Sequence, residues 1–177
     1  QYEPGSLVAA FPGLRVLGMR GRMSFEPFVH EKVEELSLQS GGLAPAEVRL
    51  LGRSDLPALT RLDLYLGIQE YGGGATAEDL APILDGTAFP SLRHLGLRDA
   101  ENADDLAAAL AHAPVVARLE SLDLSLGTLG DTGAAALLAG QPLTHLKRLD
   151  LHHHFLSEAM IERLFHALPT VDIDMSE

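Results

Sequence analysis

Leucine returns at fixed short intervals along the whole chain. The pattern Leu-x-x-Leu-x-Leu appears as Leu59/Leu62/Leu64, Leu92/Leu95/Leu97, Leu119/Leu122/Leu124 and Leu146/Leu149/Leu151. Looser copies are Leu14/Leu17/Met19, Val33/Leu36/Leu38 and Leu168/Val171/Ile173. The copies start at 14, 33, 59, 92, 119, 146 and 168, with two successive steps of 27 residues. A fixed period of this length is the signature of a repeat architecture. In each copy the last two apolar residues flank a polar or small one, as in Leu62-Asp63-Leu64. That period of two predicts a short strand with one buried face, beginning near each start. Helical spacing follows: 131–139 ends at Gly140, and 157–168 opens on Ser157 and stops before Pro169. Residues 76–84 and 104–113 have the same layout, so each unit reads strand, turn, helix, return.

These motifs resemble the leucine-rich repeat in its ribonuclease-inhibitor-like subclass. Residues 119–145 carry the likeness best, and Leu129 and Leu156 fall at a further apolar position of the motif. The chain is also similar to an uncharacterised family of bacterial leucine-rich-repeat proteins, which implies a fold and no activity. The implied fold class is α/β: a right-handed leucine-rich-repeat solenoid forming a short horseshoe arc. Its parallel sheet is expected on the concave face and its helices on the convex face. The physical reason is spacing, since strands stack about 4.8 Å apart and helices about 8–10 Å. One unit cannot bury its leucines alone, so residues 1–177 form one stacked domain. The motif normally carries an Asn three residues after the second strand leucine. Here those positions are Arg22, Gly41, Gly67, Ala100, Gly127 and His154, and that edge is expected to be less stable.

Composition sharpens this. The chain has 34 leucines in 177 residues, 2 Lys against 11 Arg and a single Asn, Asn102, a bias that suits a GC-rich bacterial genome. No cysteine is present, so disulfides and Cys zinc sites are excluded. No apolar run reaches about 18 residues, so no membrane span is expected. A cytoplasmic location suits this, although any upstream targeting signal lies outside the sequence. Residues 1–13 read as the helical tail of an earlier repeat, so the chain is expected to be the C-terminal part of a longer protein. The net charge of −12 argues against nucleic acid and suits a basic protein partner.

Specificity in such a fold sits on the outward side chains of the sheet. The expected middle column is Gly18, Ser37, Asp63, Gly96, Asp123, Asp150 and Asp172. One flanking column is Arg20, Gln39, Tyr65, Arg98, Ser125, His152 and Asp174; the other is Val16, Glu35, Arg61, His94, Ser121, Arg148 and Thr170. Arg20, Arg61, Asp63, Tyr65, His94, Arg98, Asp123, Arg148, Asp150 and His152 are the candidate partner-binding residues; the alternative is a solvated face with lateral ion pairs. Within His152–His154, Asp150 and His152 have donors that suit zinc but no ligand-motif spacing. The bland role, with His154 bonding turn backbone, is favoured, and no metal or cofactor is expected. The stretch Gly72 to Ala77 formally fits a dinucleotide-binding turn. Its unit is six residues longer than its neighbours, so a flexible rim loop at 69–74 explains it better. With no Cys nucleophile and no Gly-x-Ser-x-Gly elbow, no catalysis is expected. The expected function is protein binding on the acidic concave face. Alternatives are an inhibitor or immunity-type protein wrapping a basic enzyme, and an arc supporting an upstream domain.

Overall fold

The computed structural model describes residues 4–177. The strand-forming pattern produces β1 (Val16–Arg20), β2 (Glu35–Gln39), β3 (Arg61–Gly67), β4 (His94–Ala100), β5 (Ser121–Asp123), β6 (Arg148–Asp150) and β7 (Asp172–Asp174). They form one seven-stranded sheet in sequence order, and every neighbouring pair is parallel. α1 (Pro4–Ala10) precedes β1, and between later strands run α2 (Pro45–Leu51), α3 (Ala81–Leu84), α4 (Ala103–Leu110), α5 (Asp131–Ala139) and α6 (Glu158–Ala167). The strand leucines align laterally, Leu36 with Leu62, Leu62 with Leu95, Leu95 with Leu122 and Leu122 with Leu149. They join one core with Val48 and Leu51 of α2, Ile83 of α3, Leu106 and Leu110 of α4, Leu137 of α5 and Leu164 of α6. Strand leucines and helix residues thus share one core, and alternation turns the intervening strand residues away from the leucines.

The first leucine of each copy is not in a strand. Leu59, Leu92, Leu119 and Leu146 close turns by donating to the carbonyls of Leu56, Phe89, Val116 and Leu143, at 3.0–3.1 Å. The strands accordingly begin two residues after the motif starts, at 16, 35, 61, 94, 121 and 148. The last strand departs further, starting at 172 and not near 168. Leu168 caps α6, its N–H reaching the Leu164 carbonyl at 2.9 Å, and Val171 takes the turn position. Asp172 thus pairs with Arg148 and Asp174 with Asp150, two residues away from the columns expected, while Thr170 lies in the turn.

Two further expectations change. The helix at 76–84 shrinks to Ala81–Leu84, preceded by turns at 77–80 in which Asp79 accepts from Thr76 N at 2.8 Å and Thr76 Oγ1 at 2.9 Å. The segment 69–74 is a bonded loop: Tyr71 N and Gly73 N both donate to the Ile68 carbonyl, and Gln69 N to Glu101 Oε1 at 2.6 Å.

The missing Asn ladder is replaced by backbone. Leu43 N donates to Leu66 O and Ile68 N to Gly41 O, so the turn after β2 pairs with the end of β3. Gly67 makes this approach feasible, since a Cβ there would lie 2.0 Å from Gly41 O and its φ is +67°. Asp99, Leu126 and His153 occupy one position of three successive units, with φ of 55°, 66° and 55°. Their N–H groups donate to Ser125, His152 and Ser176 carbonyls at 2.9–3.0 Å. The left-handed residue aims each N–H at the following turn, which answers the requirement that turn backbone be bonded. Asn102 itself donates to Ala75 O at 3.0 Å, and His154 Nδ1 accepts from Leu156 N at 3.1 Å.

Candidate functional site

Parallel pairing sets identical strand positions side by side, so the outward residues form lateral ladders. The first ladder runs across β3, β4 and β5. Arg61 Nε donates to Asp63 Oδ2 at 2.8 Å, and His94 Nε2 to Asp63 Oδ1 at 2.9 Å. Ser121 Oγ contacts His94 Nδ1 at 2.6 Å. Asp63, His94 and Asp123 are buried although they lie on the polar face. Gly96, between the two aspartates, makes this packing feasible: a Cβ there would meet Asp63 Oδ1 at 2.4 Å. Burial alone would raise the Asp63 carboxyl pKa. The His94 hydrogen bond and the charges of His94, Arg61 and Arg98 outweigh it, and hold the group below the usual carboxylate range. Beside this ladder Arg98 Nε reaches Ser125 Oγ at 3.1 Å and Asp123 Oδ2 at 3.3 Å, with its guanidinium 4.8 Å from the Tyr65 ring centre. Asp123 also accepts from Ser125 N at 2.9 Å.

The second ladder is built on β6 and β7. Arg148 holds Asp172 at 2.9 Å, Asp174 at 2.7 Å and Asp150 at 3.3 Å. His152 contacts Asp150 Oδ1 through Nδ1 at 2.6 Å and through its backbone N–H at 3.2 Å. Burial would raise the Asp150 pKa, but the bonds from His152 and Arg148 bring it below normal. Three carboxylates share one guanidinium, so this end of the sheet keeps surplus negative charge.

Nine of the ten candidate residues thus fall into these ladders, and Arg20 stands apart on β1. Asp172, Asp174 and Ser121 complete the ladders, and their strand positions were the only sequence signal for them. Across the face, Arg20, Arg61, Arg98 and Arg148 stand against Glu35, Asp63, Asp123, Asp150, Asp172 and Asp174. That is −2 of the total of −12, so most of the negative charge lies elsewhere.

Two sets of donors lie within 4.8 Å of one another: Asp63, His94 and Asp123, and Asp150, His152 and Asp174. In both, the carboxylates already face guanidinium groups, whose positive charge opposes a divalent cation. The order Ser121, His94, Asp63 is that of an acyl-transfer relay. Around Ser121, however, the N–H groups of Ser121 and Leu124 donate to Arg93 O and Asp150 O, leaving neither for an oxyanion. Among the described residues, no helix is long and apolar enough to cross a membrane.

No family model and no curated protein matches the chain. Among solved structures, a protein from Bacteroides fragilis superimposes with a TM-score of 0.90 and 30% sequence identity. The fold is therefore one already seen in a bacterial protein. The match covers 99% of this chain and 51% of the Bacteroides protein, so the chain spans about half of that protein's length.

Proposed function

We propose that the chain is a leucine-rich-repeat arc of the ribonuclease-inhibitor-like subclass, bacterial and cytoplasmic, and that it works as a non-catalytic protein-binding module. In this reading the crossovers are right-handed, the sheet lines the concave side and the helices the convex side. The observation that carries it is the polar face of seven parallel strands in sequence order, which sets ladders of charged side chains side by side: Arg61 with Asp63, Arg98 with Asp123, and Arg148 with Asp150, Asp172 and Asp174. The face is graded, with Arg20 at the β1 end and the Asp172/Asp174 pair at the β7 end. That surplus of carboxylates favours a second reading, an inhibitor that wraps a basic enzyme. Strong loss of affinity between low and high salt is the result that reading requires.

The test is photo-cross-linking in the native cell. Cross-linkers replace the exposed Glu35 and Asp172 on the polar face, or Glu158 and Glu162 on α6. One recurrent protein captured from the two face positions and not from the helix positions is the expected result. Capture only from the helix positions would remove the polar face from the account.

A further inference from the structure

Two cavities of about 310 and 400 Å³ open past the C-terminal ends of β1, β2 and β3. They share Gly21, Ser40 and Gly41, and so form one trough. Arg20 and Tyr65 line its first part, Arg22 and Tyr71 its second. The second wall is the six-residue insertion at 69–74. Its Tyr71 ring lies over Gly41, with Cδ2 3.6 Å from where a Cβ would stand. At Gly42 a Cβ would come within 2.4 Å of the Tyr71 carbonyl, so the absence of a side chain lets the insertion sit this close. Tyr71 remains 68% exposed.

The charge here differs from the rest of the sheet. Arg61, Arg98 and Arg148 each hold a carboxylate, as do Arg15 and Arg49. Arg20 and Arg22 are exposed and, among the described residues, have no ion-pair partner. Of the trough's own carboxylates, Glu47 accepts from Ala44 N at 3.3 Å and serves the α2 cap. Asp99 lies on the Tyr65 side, where burial raises its pKa. The trough thus offers two unpaired guanidinium groups, two aromatic walls and a half-buried acceptor, Asp99.

We propose that this trough binds an acidic, extended peptide segment of a protein partner, its carboxylates on Arg20 and Arg22 and its apolar side chains on Tyr65 and Tyr71. The inference rests on the protein-binding reading and names the chemistry of the partner at this rim. Guanidinium forks match carboxylates. A lone inorganic anion would leave the second cavity and both rings unused. Asp99 suits a peptide N–H, which inorganic phosphate does not offer.

The test uses the whole chain, 15N-labelled and titrated with an acetylated, amidated peptide of alternating Glu and Leu. Parallel titrations use the Gln-for-Glu peptide and inorganic phosphate. Amide shifts at Gly21, Gly41, Gly42 and Gly72 with the Glu peptide are expected. Binding should weaken at least about tenfold with the Gln peptide, and equally in the R20E/R22E double variant, since charge-assisted bonds carry it. The exposed R53E variant, away from the trough, should bind as the parent does. An absent response, a double variant that binds normally, or phosphate as effective as the peptide overturns the proposal. Cross-links from Glu35 and Asp172 that persist in R20E/R22E would leave the protein-binding reading standing and sink only this inference.

Discussion

Asp63 shows how a single polar position acquires its character from its neighbours. It was legible in the sequence as an outward strand residue, but not as a buried one. Its burial follows from Gly96 on one side and from His94 and Arg61 contributing donors. A buried carboxylate is tolerable only when bonded in this way. Because its folded pKa is depressed, its contribution is present above the unfolded carboxylate value of about 3.9 and is lost as pH falls through the folded pKa. Asp63→Asn should therefore lower stability at pH 7 by about 1–3 kcal/mol. It should also lose less on acidification than the parent does. Urea unfolding at pH 7 and at about pH 2.5, below the unfolded carboxylate value, measures both, and parallel pH curves for parent and variant would contradict this.

Elements in this fold are joined through their turns as much as through their core. The helix starts are linked: Gly130 N donates to Asp104 at 2.7 Å, and Ser157 N to Asp131 at 2.8 Å. Asp131 is the first residue of α5, after the Gly130 cap, and its carboxylate reaches Ser157, the cap of α6. On the sheet side the turns meet through backbone, with glycine where the expected ladder has Asn. Gly67→Ala places a Cβ against Gly41 O at a left-handed φ, and should cost more than about 1–2 kcal/mol, the left-handed penalty alone. Gly18→Ala is the control, since its Cβ would meet nothing within 4 Å. It should be neutral or stabilising, by up to about 1 kcal/mol, by restricting the unfolded chain. Thermal melts of the two variants decide the point; equal losses would mean that turn-to-turn contact does not govern stability. The register of β7 was misread at this scale because Leu168 matches the strand pattern and the helix end equally well.

The whole molecule carries −12, yet its polar sheet face carries about −2 by the residues named above. The remaining carboxylates repel one another across the outer surface, whereas those of the ladders are bonded to arginine or histidine. Screening should relieve that repulsion more than it weakens the short, half-buried ladder contacts. The melting temperature is accordingly expected to rise between 20 mM and about 500 mM NaCl, where the screening length falls from roughly 20 Å to about 4 Å. A fall would show that exposed ion pairs such as Arg15–Glu34 and Lys147–Glu120 matter more than the net charge.

The amino-acid sequence by itself determined the number of strands, their order, the lateral alignment of leucines and the identity of most residues on the polar face. It could do so because those features follow from a repeated local period, and a period is visible without coordinates. Only the tertiary structure decided which aspartates are buried, which arginines are already paired, where the last strand sits and how the insertion at 69–74 builds a wall beside Arg20 and Arg22. Those depend on distances between units 19 to 33 residues apart, which a periodic pattern constrains but does not set.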